Sequence, residues 1–99
     1  MLAGTWRNTI LLRQDNDVVT VTTTWTFQTP GDCNRTVETR SVAAGVPLVS
    51  SRDCTWSASG GSLTVIYSGN TTGVTFTVAL VSFSPDALLL GGIRFDRIG

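Results

Sequence analysis

The sequence predicts an all-β protein, a small eight-stranded antiparallel up-and-down barrel formed by residues 1–99 as a single domain. Three observations carry this prediction. Apolar and polar residues alternate with period 2, and no stretch sustains a 3.6-residue pattern. Thr and Val recur throughout, which suits pleated surfaces and works against helices. Turn signals cut the chain at short intervals, so every connection is short enough for an antiparallel neighbour.

The clearest strand is Val18 to Gln28, in which Val19, Val21, Thr23, Trp25 and Phe27 point one way and the intervening Val and Thr residues the other. Asp15-Asn16-Asp17 separates it from a first strand, Thr5 to Arg13. Thr29-Pro30-Gly31-Asp32 is a Pro-Gly turn into a third, Cys33 to Val42. Ala43 to Pro47 forms a longer loop before a fourth, Val49 to Ser57. Gly60-Gly61 leads to a fifth, Ser62 to Ser68, and Gly69 to Gly73 to a sixth, Val74 to Phe83. Ser84-Pro85-Asp86 precedes the short run Ala87 to Leu90, and Gly91-Gly92 turns into Ile93 to Ile98. Left open, such a meander exposes two edges; closing it removes both. A two-sheet sandwich is the structural alternative, but it needs longer crossovers, and only Ala43 to Leu48 could serve as one.

Composition narrows the function classes. Seven Arg balance six Asp and one Glu, so net charge gives no reason to expect nucleic acid or an anionic membrane as partner. The chain has no His and no Lys. Their absence removes the commonest general base, the commonest metal ligand and Schiff-base chemistry. No apolar run approaches the roughly 18 residues of a membrane span. Met1-Leu2-Ala3 leads directly into the first strand, so Met1 reads either as a native start or as standing where a signal was removed. Most Asp residues fall in turns, where they serve backbone hydrogen bonding. No nucleophile has a local base signature and no phosphate loop occurs, so the sequence offers no catalytic residues, metal ligands or cofactor site.

Gly4-Thr5-Trp6 at the head of an eight-stranded meander resembles the lipocalins and their wider calycin superfamily. The closest match in style is to small bacterial secreted lipocalin-like domains. The matching elements are Gly4-Thr5-Trp6, Trp25-Thr26-Phe27, Cys33, Cys54-Thr55-Trp56 and Phe95-Asp96-Arg97. The resemblance implies that Trp6 closes one end of the barrel and that an Arg of the last strand covers it. Alternation puts Ile93, Phe95 and Arg97 on one face, which makes Arg97 that residue. A guanidinium on an indole contributes roughly 0.5–2 kcal/mol. The chain departs from typical ligand-carrying lipocalins in being shorter and in lacking their helix. Avidins share the Gly-x-Trp strand, but their later Trp motifs find no match. Periplasmic metalloprotease inhibitors share the length and the single disulfide, but only Met1 to Ala3 stand where their inhibitory extension would be.

Antiparallel pairing of strands three and four with Cys33 opposite Cys54 brings the cysteines to disulfide distance, which implies an oxidising, secreted or periplasmic location. The alternative is two separate buried thiols. The same register sets Arg35 beside Arg52. On a barrel mouth with Trp25, Trp56 and Tyr67, this pair could hold the carboxylate or phosphate of an amphipathic ligand. Two other readings stand beside it: a twist that turns both Arg to solvent, or pairing of an inward Arg with Asp53 or Glu38. The expected function is binding of a small apolar or amphipathic molecule in a shallow pocket near one mouth. The alternative is a structural or protein-interaction barrel, including a protease-inhibitor-like role, with no small-molecule ligand, monomeric or homodimeric, with Val81 and Phe83 pointing away from the core.

Overall fold

A computed structural model describes residues 3–14, 16–43, 45–59, 61–69, 73–80 and 86–99, with backbone only for 14 and 76–80. It has eight strands: β1 (Gly4–Gln14), β2 (Asp17–Gln28), β3 (Asp32–Ser41), β4 (Leu48–Ser59), β5 (Ser62–Tyr67), β6 (Val74–Leu80), β7 (Ala87–Leu90) and β8 (Ile93–Arg97). Each pairs antiparallel with the next, and β8 returns to β1, so one curled sheet closes on itself. Consecutive pairing throughout excludes the sandwich. The strand bounds differ from the sequence reading mainly at the ends. The predicted extension of β6 to Phe83, and with it Val81 and Phe83, lies outside the described residues.

Alternation and register together sort the side chains into two faces. On the inner face Trp6, Trp25, Phe27, Leu63, Val65, Leu88, Leu90 and Phe95 form the core with Cys33 and Cys54. Trp25 stacks on Phe27 with centroids 5.5 Å apart, and Trp56 meets Phe27 edge-on at 5.4 Å. Cys33 pairs directly with Cys54, and the two form a disulfide with Cα atoms 4.8 Å apart. Closing that loop contributes about 3 kcal/mol on the chain-entropy account. The outer face is hydroxyl-rich, with cross-strand pairs Thr5–Thr26, Thr9–Thr22 and Thr64–Thr75.

Strand length divides the molecule into two halves. β1 pairs with β2 from Gly4 to Gln14 but with β8 only at Trp6 and Arg7. β4 pairs with β3 from Leu48 onward but with β5 only from Cys54. Below these points the sheet is closed and packed. Above them β1 to β4 continue as a curved four-stranded sheet, and no described strand lies against either edge.

The seam between β1 and β8 is held by more than its ladder. Thr5 donates to the Gly99 carbonyl and accepts from the Ile98 N–H. Trp6 is 1% exposed, and the Arg97 guanidinium lies over its ring, 4.3 Å from the centroid. Arg97 Nη1 donates to the Ala3 carbonyl at 2.9 Å, and Nε lies 3.6 Å from the Asp86 carboxylate. Gly4 has φ +136°, and a Cβ there would run into the Arg97 guanidinium and the Gly99 carbonyl. The glycine before Thr5-Trp6 is therefore space for arginine.

Trp6→Ala should cost about 3–5 kcal/mol, as for other buried aromatics. Arg97→Ala should cost about 1–2 kcal/mol through lost stacking and cover. Denaturation curves of the two single variants and the double variant should give a total below the sum, since both remove one contact. Additive losses would show that the two side chains do not act together at the seam.

Candidate functional site

Where the closed half gives way to the open sheet, the inner face becomes a mouth. Register delivers Trp25 of β2, Arg35 of β3 and Arg52 of β4 side by side on that face. Tyr67 of β5 pairs with Cys54, one inward position below Arg52. A cavity of about 280 Å³ opens here, floored by Trp25, Tyr67, Leu90 and Phe95 and walled by Asn8, Ile10, Arg35 and Ile93. It lies at the small end of ligand cavities.

The two arginines lie against aromatic faces. The Arg35 guanidinium is 5.8 Å from the Trp25 ring centroid, and that of Arg52 is 4.6 Å from Tyr67. Trp25 and Tyr67 are themselves 6.4 Å apart. Like charges directly opposite across two strands repel; stacking offsets part of that cost. Asp53 and Glu38, the carboxylates considered as partners, are engaged elsewhere. Asp53 accepts from the Asn34 amide at 2.9 Å, and Glu38 pairs with Arg40. Among the described residues no carboxylate comes within ion-pair distance of Arg35 or Arg52.

The sequence-predicted set is thus partly assembled. Trp25, Arg35 and Tyr67 line the cavity, and Arg52 sits behind Tyr67. Trp56 does not line it: its ring packs on Phe27, and its indole N–H donates to the Gln28 carbonyl at 3.0 Å. The period-2 pattern gave Trp56 the correct face but not its height, because barrel strands are staggered. Asn8, Ile10, Thr23, Leu90, Ile93 and Phe95 were missed as lining residues. Alternation already put Ile93 and Phe95 inward, and their place at the mouth follows from where β8 leaves β1. Asn8 marks that point, donating through Nδ2 to the Arg94 carbonyl at 2.9 Å.

A second depression, about 360 Å³, lies on the outer face and is walled by Thr26, Gln28, Asp32, Asn34, Asp53 and Thr55. Cys33, Cys54 and Ser68 complete its lining, which includes no aromatic or aliphatic residue. No group of three metal-ligating side chains gathers among the described residues. Nor is any described helix long and apolar enough to cross a membrane. The chain matches no protein-family model, no curated protein and no solved structure.

One carboxyl group is displaced from its ordinary value. Asp17, at the far end of the open sheet, is held below the usual 3.8 chiefly by the Ser41 hydroxyl and then by the Ala43 N–H. The Val18 and Val42 N–H groups also donate to this carboxylate. These bonds tie the β1–β2 turn to the start of the β3–β4 loop. A depressed folded pKa means that this contribution is complete above about pH 4 and is lost as pH falls through the lowered value. The stability difference between the wild type and Asp17→Ala, followed by urea denaturation, should therefore be largest at neutral pH and shrink toward pH 2. A difference independent of pH would mean that the charge contributes nothing.

Proposed function

We propose that this chain is a small lipocalin-like binding module for an amphipathic molecule with an anionic end. Support comes from one observation: Arg35 lines an apolar-floored cavity, Arg52 stands directly across the strand pair from it, and neither has a carboxylate partner among the described residues. An anion bridging Arg35 and Arg52 would relieve their mutual repulsion and accept charge-assisted hydrogen bonds from both. The apolar part would lie on Trp25, Leu90 and Phe95. The cavity volume argues for a small or only partly enclosed ligand. A secreted or periplasmic location is part of this reading, since the Cys33–Cys54 pair suits an oxidising compartment. Protein interaction is the second reading, favoured by Val42, Val46, Leu48 and Val49 exposed on and beside the β3–β4 loop.

Trp25 supplies its own reporter. Titration with 8-anilinonaphthalene-1-sulfonate should quench Trp emission saturably, and the uncharged N-phenyl-1-naphthylamine should bind more weakly. Loss of a charged hydrogen bond of about 1.5–3 kcal/mol weakens binding by roughly 10- to 150-fold. Arg35→Ala and Arg52→Ala should each show a loss of that order for the sulfonate and little for the neutral probe. No saturable signal with either probe would overturn the binding role. Equal affinities, unaffected by the Arg substitutions, would overturn the anionic preference.

A further inference from the structure

We infer that two copies of this chain associate through the free edge of β1, strand against strand about a two-fold axis at Leu11. The starting observation is where β8 ends its pairing. Beyond Arg7, β1 has β2 on one side and no described strand on the other. Thr5 points both its N–H and its C=O toward β8. β1 pairs with β2 without a bulge, so alternation sends the same groups of Thr9, Leu11 and Arg13 to the unpaired edge. A partner strand would find a row of ready donors and acceptors there.

The edge has few of the features that normally discourage such pairing, its one charge beyond the β8 ladder being the outward Arg13. It carries no Pro, no bulge and no inward charge. Instead Ile10, Leu11 and Leu12 are all exposed, Leu11 at 58%. β4 has the other edge without a described partner strand, and it is protected. Its inward residues there include Arg52, and an inward-pointing charge on an edge strand opposes pairing. Joining β1 of one copy to β4 of another would set Arg52 against Ile10 or Leu12. Such a head-to-tail contact would also forgo two-fold closure and build a ring or an open chain of copies. The complementary partner for β1 is therefore β1.

The sequence of β1 is self-complementary in the register centred on Leu11. Leu11 faces Leu11 of the second copy, and Thr9 faces Arg13. All three are edge-facing residues, so each N–H and C=O finds a mate. Ile10 then lies opposite Leu12 on the inner face, where side chains approach most closely in a non-hydrogen-bonded pair. Arg13 meets Thr9, which keeps the two Arg13 side chains apart. The two open sheets become one continuous sheet with both mouths on the same side. Ile10 lines the cavity, so Leu12 of the second copy extends the wall of each mouth. A contact of this length is small for a stable dimer, which needs about 800 Å² from each partner. Association should be reversible, with a dissociation constant in the micromolar range.

The test compares the wild type with Leu11→Lys and Val49→Lys by sedimentation equilibrium over a wide concentration range. Leu11 is on the outer face and exposed, so lysine there leaves the monomer fold intact, which circular dichroism checks. Across the two-fold it sets ammonium against ammonium. The expected result is a reversible wild-type dimer, an unchanged Val49→Lys dimer and at least a tenfold weaker Leu11→Lys dimer. Hydrogen exchange should slow at Thr9, Leu11 and Arg13 as concentration rises, while Ile10 and Leu12, bonded to β2, stay protected throughout. A wild type that remains monomeric at its highest soluble concentration overturns the inference. So does a dimer that Leu11→Lys leaves intact, or exchange at Thr9, Leu11 and Arg13 that ignores concentration.

Discussion

Closure of this sheet centres on the Arg97 guanidinium laid over Trp6, beside the backbone bonds of Thr5 to Ile98 and Gly99. The ladder between first and last strands is only two residue pairs long. So short a ladder depends on what is packed around it. Arg97 fixes three things at once: it covers the indole, donates to the Ala3 carbonyl and approaches the Asp86 carboxylate. Both chain ends and the turn before β7 thereby converge on a single side chain. Gly4 leaves the room that this side chain occupies.

The mouth is a consequence of unequal strands around that seam. β1 to β4 are 10 to 12 residues long, while β7 and β8 have 4 and 5. A closed barrel can be no taller than its shortest strands. The surplus length of the first four must stand clear as an open sheet. The boundary is abrupt because inward residues change character across it. Trp25 and Phe27 lie within the packed half, whereas Ile10 and Leu12 remain exposed. The cavity sits on this boundary with apolar groups beneath and the Arg35 guanidinium at its wall.

Arg35 and Arg52 are energetically unfavourable neighbours in the free protein. Each is compensated by an aromatic ring rather than by a carboxylate. That arrangement stabilises the unliganded fold without neutralising its local charge. It leaves Asp53 and Glu38 to hold outer-face or rim partners. The ligand site proposed for this mouth would, on such a build, select by charge and tolerate differences in shape.

Local pattern pointed to which residues face inward, which strands are neighbours and which cysteines meet, through a side-chain period of two and mostly short hairpins. Against it stood a sandwich crossing over at Ala43 to Leu48, two separate thiols and solvent-facing arginines, and the closed register removed the first two. Val19 to Phe27, the Cys33–Cys54 pair and the Arg35–Arg52 pair are all legible on those grounds. Height along the barrel is not legible in this way, because stagger between strands accumulates only when the sheet closes. That is why Trp56 shares a face with Arg35 yet lies against Phe27, away from the cavity wall. It is also why Ile93 and Phe95 reach a mouth that also holds Asn8 and Ile10, from the other end of the chain. Closure, and nothing local, decided where β8 leaves β1, and with it the position of the mouth and the length of edge left bare. Pairing rules act between adjacent residues, whereas the seam joins positions 6 and 97, which meet only once every intervening strand has added its twist.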